Sequence, residues 1–115
     1  MQFTPKEIDG NVMVIEVDGG LDASNADAFT RDVIGMVEGG VSRLIIDCRH
    51  LTSLSSVGVG ALIRLHKRAA TQGGDVKLCS VPGIVMQVLS LMRMDRVFEI
   101  YPDLGRARLA FREGP

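Results

Sequence analysis

A chain of 115 residues, 46% hydrophobic and 23% charged, has room for one modest core and the composition of a folded domain. Its 13 basic and 14 acidic residues leave a net charge of −1, which excludes nucleic-acid binding driven by bulk charge. No apolar run approaches the ~20 residues of a membrane span, and "MQFTPKEIDG" has neither the basic start nor the apolar stretch of a signal peptide, so a cytoplasmic protein without direct membrane insertion is expected.

The first element, "QFTPKEI" (2–8), reads as an edge strand, where Pro5 is tolerated. A turn at "GN" (10–11) leads into "VMVIEVDG" (12–19), which alternates and is rich in β-branched residues, as a strand should be. Ser24 is placed to cap a helix over 25–38, whose apolar stripe is Ala26, Phe29, Val33, Met36 and Val37. Glycines 39 and 40 end it. "RLIIDC" (43–48) is a short continuous apolar run, the signature of a buried parallel strand, and a polar loop follows. A second helix spans 56–71 and stops before Gly73 and Gly74. "DVKLCSV" (75–81) is the next strand, and 83–92 a helix that is apolar nearly all round. "VFEIY" (97–101) is a short strand, and Pro102 and Asp103 start a last helix over 103–111. The order β-β-α-β-α-β-α-β-α predicts an α/β fold: a mixed, mostly parallel sheet of about five strands with four helices, in a single domain over 1–115.

Few side chains signal chemistry. Cys48 and Cys79 lie 31 positions apart in strand-like segments and read as buried, reduced thiols; a redox pair or zinc site would need closer spacing or more ligands. His50 and His66 belong to no metal or catalytic motif. Met86, Met92 and Met94 are expected mostly in the core, with a minority exposed near the Ser56 end of the domain.

Helix 56–71 carries the most information. Gly58, Leu62, Leu65 and Ala69 fall on one face, flanked by Val59 and Ile63, and should pack on the sheet. Ser56, Gly60, Arg64, Lys67 and Thr71 line the other, with Arg68 beside them. A glycine inside a helix costs about 1 kcal/mol relative to alanine, so two in the opening turns imply close approach: by the sheet at Gly58, and by another molecule at Gly60. Ser55 is placed as N-cap and Ser56 as first helical residue, at the positive end of the helix dipole. On pattern alone the serine pair is first a helix cap, with an anion site or a phosphate acceptor as alternatives. Enzyme motifs fail one by one. Leu54 breaks a Gly-x-Ser-x-Gly elbow, no Gly-x4-Gly-Lys-Ser/Thr loop exists, and Ile63 replaces the third glycine of a dinucleotide fingerprint.

Three stretches, in order, carry a resemblance over nearly the whole chain. "GGLDASNADAF" (19–29), "LIIDCRHLTSLSSVGVGALI" (44–63) and "VPGIVMQVLSLMRMDRVFEIYPDLGRA" (81–107) resemble the STAS domain, found in bacterial anti-anti-sigma factors (anti-sigma factor antagonists) and at the cytoplasmic ends of sulfate-type anion transporters. Phosphorylatable members of that family carry Asp-Ser-Ser/Thr-Gly-Leu-Gly, with the serine after Asp modified. Here Ser55 takes the Asp position, Ser56 that of the phosphoserine, and Val57 that of the next hydroxyl residue, followed by Gly58, Val59 and Gly60.

The resemblance implies a regulatory binding module, not an enzyme, with no cofactor and no metal. Ser56 would be the phosphorylation site. Asp22, Ser55, Gly58 and Gly60 would shape it, and Arg64, Lys67 and Arg68 would line the surface offered to a partner. Unphosphorylated, such a module binds an anti-sigma factor that is also an ATP-dependent serine kinase. That frees a sigma factor and so regulates transcription. Phosphorylation releases the complex, and a serine phosphatase resets it. The alternative implied by the same family is a peripheral STAS subunit of an ABC-type lipid transport complex. A serine hydrolase ranks below both.

Overall fold

The computed structural model describes residues 1–8 and 11–113. Five strands, β1 (Gln2–Ile8), β2 (Val12–Leu21), β3 (Arg43–Leu54), β4 (Asp75–Cys79) and β5 (Ile100–Tyr101), form one sheet in the order β1-β2-β3-β4-β5. β1 pairs antiparallel with β2, and every other pairing is parallel. Four helices, α1 (Ala26–Glu38), α2 (Ser56–Thr71), α3 (Gly83–Leu91) and α4 (Leu104–Glu113), connect or follow the strands. The mixed, mostly parallel α/β sheet with four helices is the architecture expected. Gly10, in the expected turn at 10–11, lies outside the described residues.

Alternation along the strands divides the core in two. Leu44, Ile46 and Cys48 of β3 point one way and join Phe29, Val33, Leu62, Leu65, Val85 and Leu89 from α1, α2 and α3. Ile45 points the other way and joins Val12, Val14 and Cys79 beneath Ala107 and Phe111 of α4. The parallel strands β2, β3 and β4 end along one edge of the sheet, and α2 and α3 begin at that edge.

Several boundaries differ from expectation. β2 runs on to Leu21 and β3 to Leu54, so the expected polar loop after Cys48 is strand. Leu51 and Leu54 are buried there and pair with Gly19 and Leu21. Register shifts in the β2–β3 ladder absorb the intervening polar residues. β4 stops at Cys79 because Ser80 takes a left-handed backbone, with φ of 54°. The strand expected over 97–101 shrinks to Ile100–Tyr101. A 3-10 turn occupies Met94–Arg96, and Val97 follows it with helical torsions. Ser24 does not cap α1. Asn25 stands at the cap position without a side-chain cap bond, and Ser24 is bonded to Asp22 instead. The core thiols are as expected: both cysteines are buried and unpaired by disulfide, and burial raises both, Cys79 to about 11. Among the methionines, Met94 packs on the core, Met86 is half-buried and Met92 is exposed. Met92 caps the C-terminal end of α3, opposite the edge where α2 and α3 begin, so the exposed methionine is not at the Ser56 end.

Two charged side chains are nearly enclosed among the described residues: Asp47 of β3, paired with Arg49 at 3.5 Å, and Lys77. Lys77 of β4 is 7% exposed. Its ammonium donates to Asp75 Oδ2 at 3.0 Å and to Glu99, and lies 4.6 Å from the centre of the Phe111 ring. Burial opposes its charge, but the hydrogen bonds to Glu99 and Asp75 more than offset this, and the group is held above its ordinary range. Glu99 is held below its ordinary 4.5 by hydrogen bonds from Lys77 and from the Tyr101 hydroxyl at 2.9 Å. His66 of α2 joins the same cluster, with Nε2 3.3 Å from Asp75 and the ring edge-on to Phe98.

Two predictions follow from this packing. A Cβ on Gly58 would lie 2.4 Å from the Leu21 carbonyl oxygen and 2.9 Å from Leu54 Cδ1. Gly58→Ala therefore lowers the unfolding free energy by about 1–3 kcal/mol in denaturant titrations. A carboxylate whose folded pKa is depressed contributes stability above its unfolded value, and that contribution disappears as pH falls through the folded one. Stability thus declines with acid in the window below pH 4.5, and Glu99→Gln flattens that part of the stability–pH curve.

Candidate functional site

The site is assembled by a single junction. Leu21 ends β2 opposite Leu54 of β3. The Leu21 carbonyl accepts the Ser55 N–H at 3.1 Å, which turns the chain out of β3 and into α2. Ser55 is extended (φ −88°, ψ 171°), and its hydroxyl accepts the Gly58 N–H at 3.2 Å. It is the N-cap that the sequence predicts. Its carbonyl accepts the Val59 N–H at 2.9 Å. The amides of Ser56 and Val57 are left at the open, positive end of a 16-residue helix with no acidic residue in its first turn.

Ser56 is exposed at that mouth, and Val57 beside it is 44% exposed. Gly58 is buried against the sheet. Gly60 differs: a Cβ there would meet only Arg64 Nη1, at an ordinary 3.9 Å. Among the described residues nothing needs a glycine at this position, so of these two the intramolecular reason holds for Gly58.

The β2–α1 turn flanks the junction. Asp22 follows Leu21 and so comes to the same edge as Ser55. Its carboxylate accepts the Ser24 N–H at 2.9 Å and the Ser24 hydroxyl at 2.6 Å, which holds its pKa below the ordinary value. Its own N–H donates to Asn25 Oδ1 at 3.0 Å, and Asn25 Nδ2 donates to the Gly20 carbonyl at 2.8 Å. Asp22 is thereby a fixed negative charge on a turn pinned at both ends.

Below the mouth, α2 presents the expected basic row, partly engaged with α1. Arg64 donates to the Thr30 hydroxyl at 3.4 Å and lies 3.6 Å from Asp27. Arg68 pairs with Glu38. With Lys67, Thr71 and Ile34 they line a surface groove of about 250 Å³ between α1 and α2. Arg64 and Lys67 therefore lie on the same exposed surface as Ser56, with Arg64 braced by α1. Sequence reasoning missed that bracing. Only the i to i+3 spacing of Asp27 and Thr30 beside the α1 stripe hinted at polar groups facing α2.

Ser56 and His66 do not form a nucleophile–base pair. His66 lies ten residues further along α2, about 15 Å along the helix axis, and is engaged by Asp75 and Phe98. Among the described residues no cluster of three His, Cys, Asp or Glu could hold a metal ion, and no helix is long and apolar enough to cross a membrane.

Comparison with known proteins gives the same frame. Over 112 residues the chain is 23% identical to the protein BtrV of Bordetella bronchiseptica, assigned to the anti-sigma factor antagonists, covering 97% of this chain and 96% of that one. A Thermotoga maritima protein with the same assignment is 26% identical over 104 residues, covering 90% and 92%. The crystal structure of a Thermotoga maritima protein assigned to the anti-sigma factor antagonists superposes with a TM-score of 0.91 at 26% identity, over 96% of this chain and 95% of that one. Unphosphorylated SpoIIAA, an anti-sigma factor antagonist, has the same fold, with a TM-score of 0.86 at 16% identity over 99% of both chains. The STAS domain model matches residues 4–107, and the chain belongs to the STAS domain family.

Proposed function

We propose that the protein is an anti-sigma factor antagonist whose contact with its partner is switched by phosphorylation of Ser56. The observation that carries this reading is the α2 mouth: an exposed hydroxyl at the first helical position, above a glycine that no group within the chain requires. The partner is an anti-sigma factor that is also an ATP-dependent serine kinase, and a serine phosphatase restores the unmodified state. Binding of the antagonist frees a sigma factor.

The physics suits a switch that leaves the fold alone. Ser56 and Gly60 offer a flat, neutral strip to a partner. A phosphate on Ser56 adds about −1.5 to −2 charges there. Helix amides favour the anion locally, so the free protein tolerates it, while a partner packed on the strip would have to desolvate it beside Asp22. Moving a partner from mostly bound to mostly free takes a ~100- to 10,000-fold change in affinity. Ser55, at the position of the family's aspartate, caps the helix through its bond to the Gly58 N–H and adds no charge. Arg64 and Lys67 extend the contact surface down α2.

Two outcomes are expected. Incubation with the cognate kinase and ATP places phosphate on Ser56, read by mass spectrometry; phosphate only on Thr52 or Ser53, or nowhere, contradicts the reading. Gly60→Ala raises stability by about 0.5–1 kcal/mol, because it improves a helix interior without a clash, yet weakens binding of the anti-sigma factor at least tenfold in calorimetry. Unchanged binding shows that no partner approaches Gly60.

A further inference from the structure

Asn25 stands at the N-cap position of α1, yet its side chain makes no bond to that helix. Asparagine is among the strongest capping residues, and here its amide is engaged elsewhere. It reaches back across the β2–α1 turn. Nδ2 donates to the Gly20 carbonyl at 2.8 Å, and Oδ1 accepts the Asp22 N–H at 3.0 Å. One orientation of the amide satisfies both bonds. A carboxylate would offer no donor to Gly20, and a hydroxyl has one atom where two are used.

The Asp22 N–H belongs to the Leu21–Asp22 peptide. The carbonyl of that same peptide accepts the Ser55 N–H at 3.1 Å, and the Ser55 hydroxyl accepts the Gly58 N–H at 3.2 Å. An unbroken chain of hydrogen bonds therefore runs from the Asn25 amide, through one planar peptide unit, to the first turn of α2. A peptide whose N–H is bonded has a stronger acceptor carbonyl, so the links support one another. Ser56 follows the far end of this chain, and the Asp22 carboxylate hangs from its middle. The Ser24 bonds, by contrast, end on that carboxylate and do not reach the peptide.

We infer that Asn25 is a positioning residue of the Ser56 site: its side-chain amide fixes the Leu21–Asp22 peptide, and with it the register between the Asp22 turn and the α2 mouth. Its effect on phosphorylation rests on the reading of Ser56 as acceptor; its effect on the geometry does not.

Backbone hydrogen exchange in the whole chain, monitored in ¹H–¹⁵N spectra, tests the geometry. In Asn25→Ala the Asp22, Ser55 and Gly58 amides exchange about tenfold faster, while those of Val33 and Val37 in α1 and Leu78 in β4 keep their rates. Asn25→Asp retains an acceptor for the Asp22 N–H and recovers most of the protection at Ser55. Ser24→Ala leaves Ser55 and Gly58 at the parental rates. Unchanged exchange at Ser55 in Asn25→Ala overturns the inference, and so does an equal rise along α1, the result of losing a plain helix cap. Steady-state phosphorylation by the cognate kinase tests the consequence. A displaced acceptor hydroxyl lowers kcat about tenfold with little change in KM; a parental kcat in Asn25→Ala overturns the positioning role. Absence of phosphate on Ser56 in the parent chain contradicts the proposed function instead, and the exchange rates then decide the role of Asn25 by themselves.

Discussion

The carbonyl oxygen of Leu21 is the point on which the site turns. It accepts the Ser55 N–H and lies where any side chain at position 58 would collide with it. One atom thus fixes the end of β2, the exit from β3 and the seating of the first turn of α2. Because β2 and β3 are central strands with buried neighbours on both faces, the junction inherits the rigidity of the sheet. The exposed Ser56 hydroxyl is held one residue beyond a capped, anchored turn, and Asp22 is held one residue beyond Leu21 on the other strand. A site built in this way has its geometry before any partner arrives.

Charge is arranged around the junction with the same economy. The helix mouth is positive through its amides, Asp22 flanks it on the β2–α1 turn, and the basic residues of α2 begin two turns below. Arg64 and Arg68 are oriented by Asp27 and Glu38 of α1, so they brace the helix pair as well as presenting charge. At the far side of the sheet the Lys77, Asp75 and Glu99 cluster closes the β4–β5 edge under Phe111, and His66 ties α2 into it. α2 is therefore held at both ends, by the Leu21 junction and by the His66 contact. A phosphate added at its mouth meets a helix with little freedom to move.

Much of this was legible in the residues. Gly58, Leu62, Leu65 and Ala69 fall on one helical face by spacing alone, and Ser55 is a strong cap residue before an apolar-periodic run; both readings hold in the fold. What could not be read were features decided by contacts distant in sequence. The extension of β3 through polar residues depends on Leu51 and Leu54 finding Gly19 and Leu21. The exception is local: Ser24 has the chemistry of a cap, but its hydroxyl bonds to the Asp22 carboxylate two residues earlier. The strand expected over 97–101 has the right composition, but only Ile100 and Tyr101 pair in register with β4, after Glu99 has accepted the Leu78 N–H. Arg64 was read only as surface offered to a partner because Asp27 and Thr30, which engage it, lie on another helix.

The central claim is that modification of Ser56 changes the charge of a rigid surface and not the fold beneath it. Amide ¹H–¹⁵N spectra of the chain before and after stoichiometric phosphorylation of Ser56 test that claim most directly. The account predicts shift changes confined to the β2–α1 turn around Asp22, the end of β3 and the first two turns of α2, with the resonances of Lys77, Val85, Leu89 and Phe111 unmoved. Widespread changes through β4, α3 and α4 would show that phosphate acts by refolding the domain, and would contradict it.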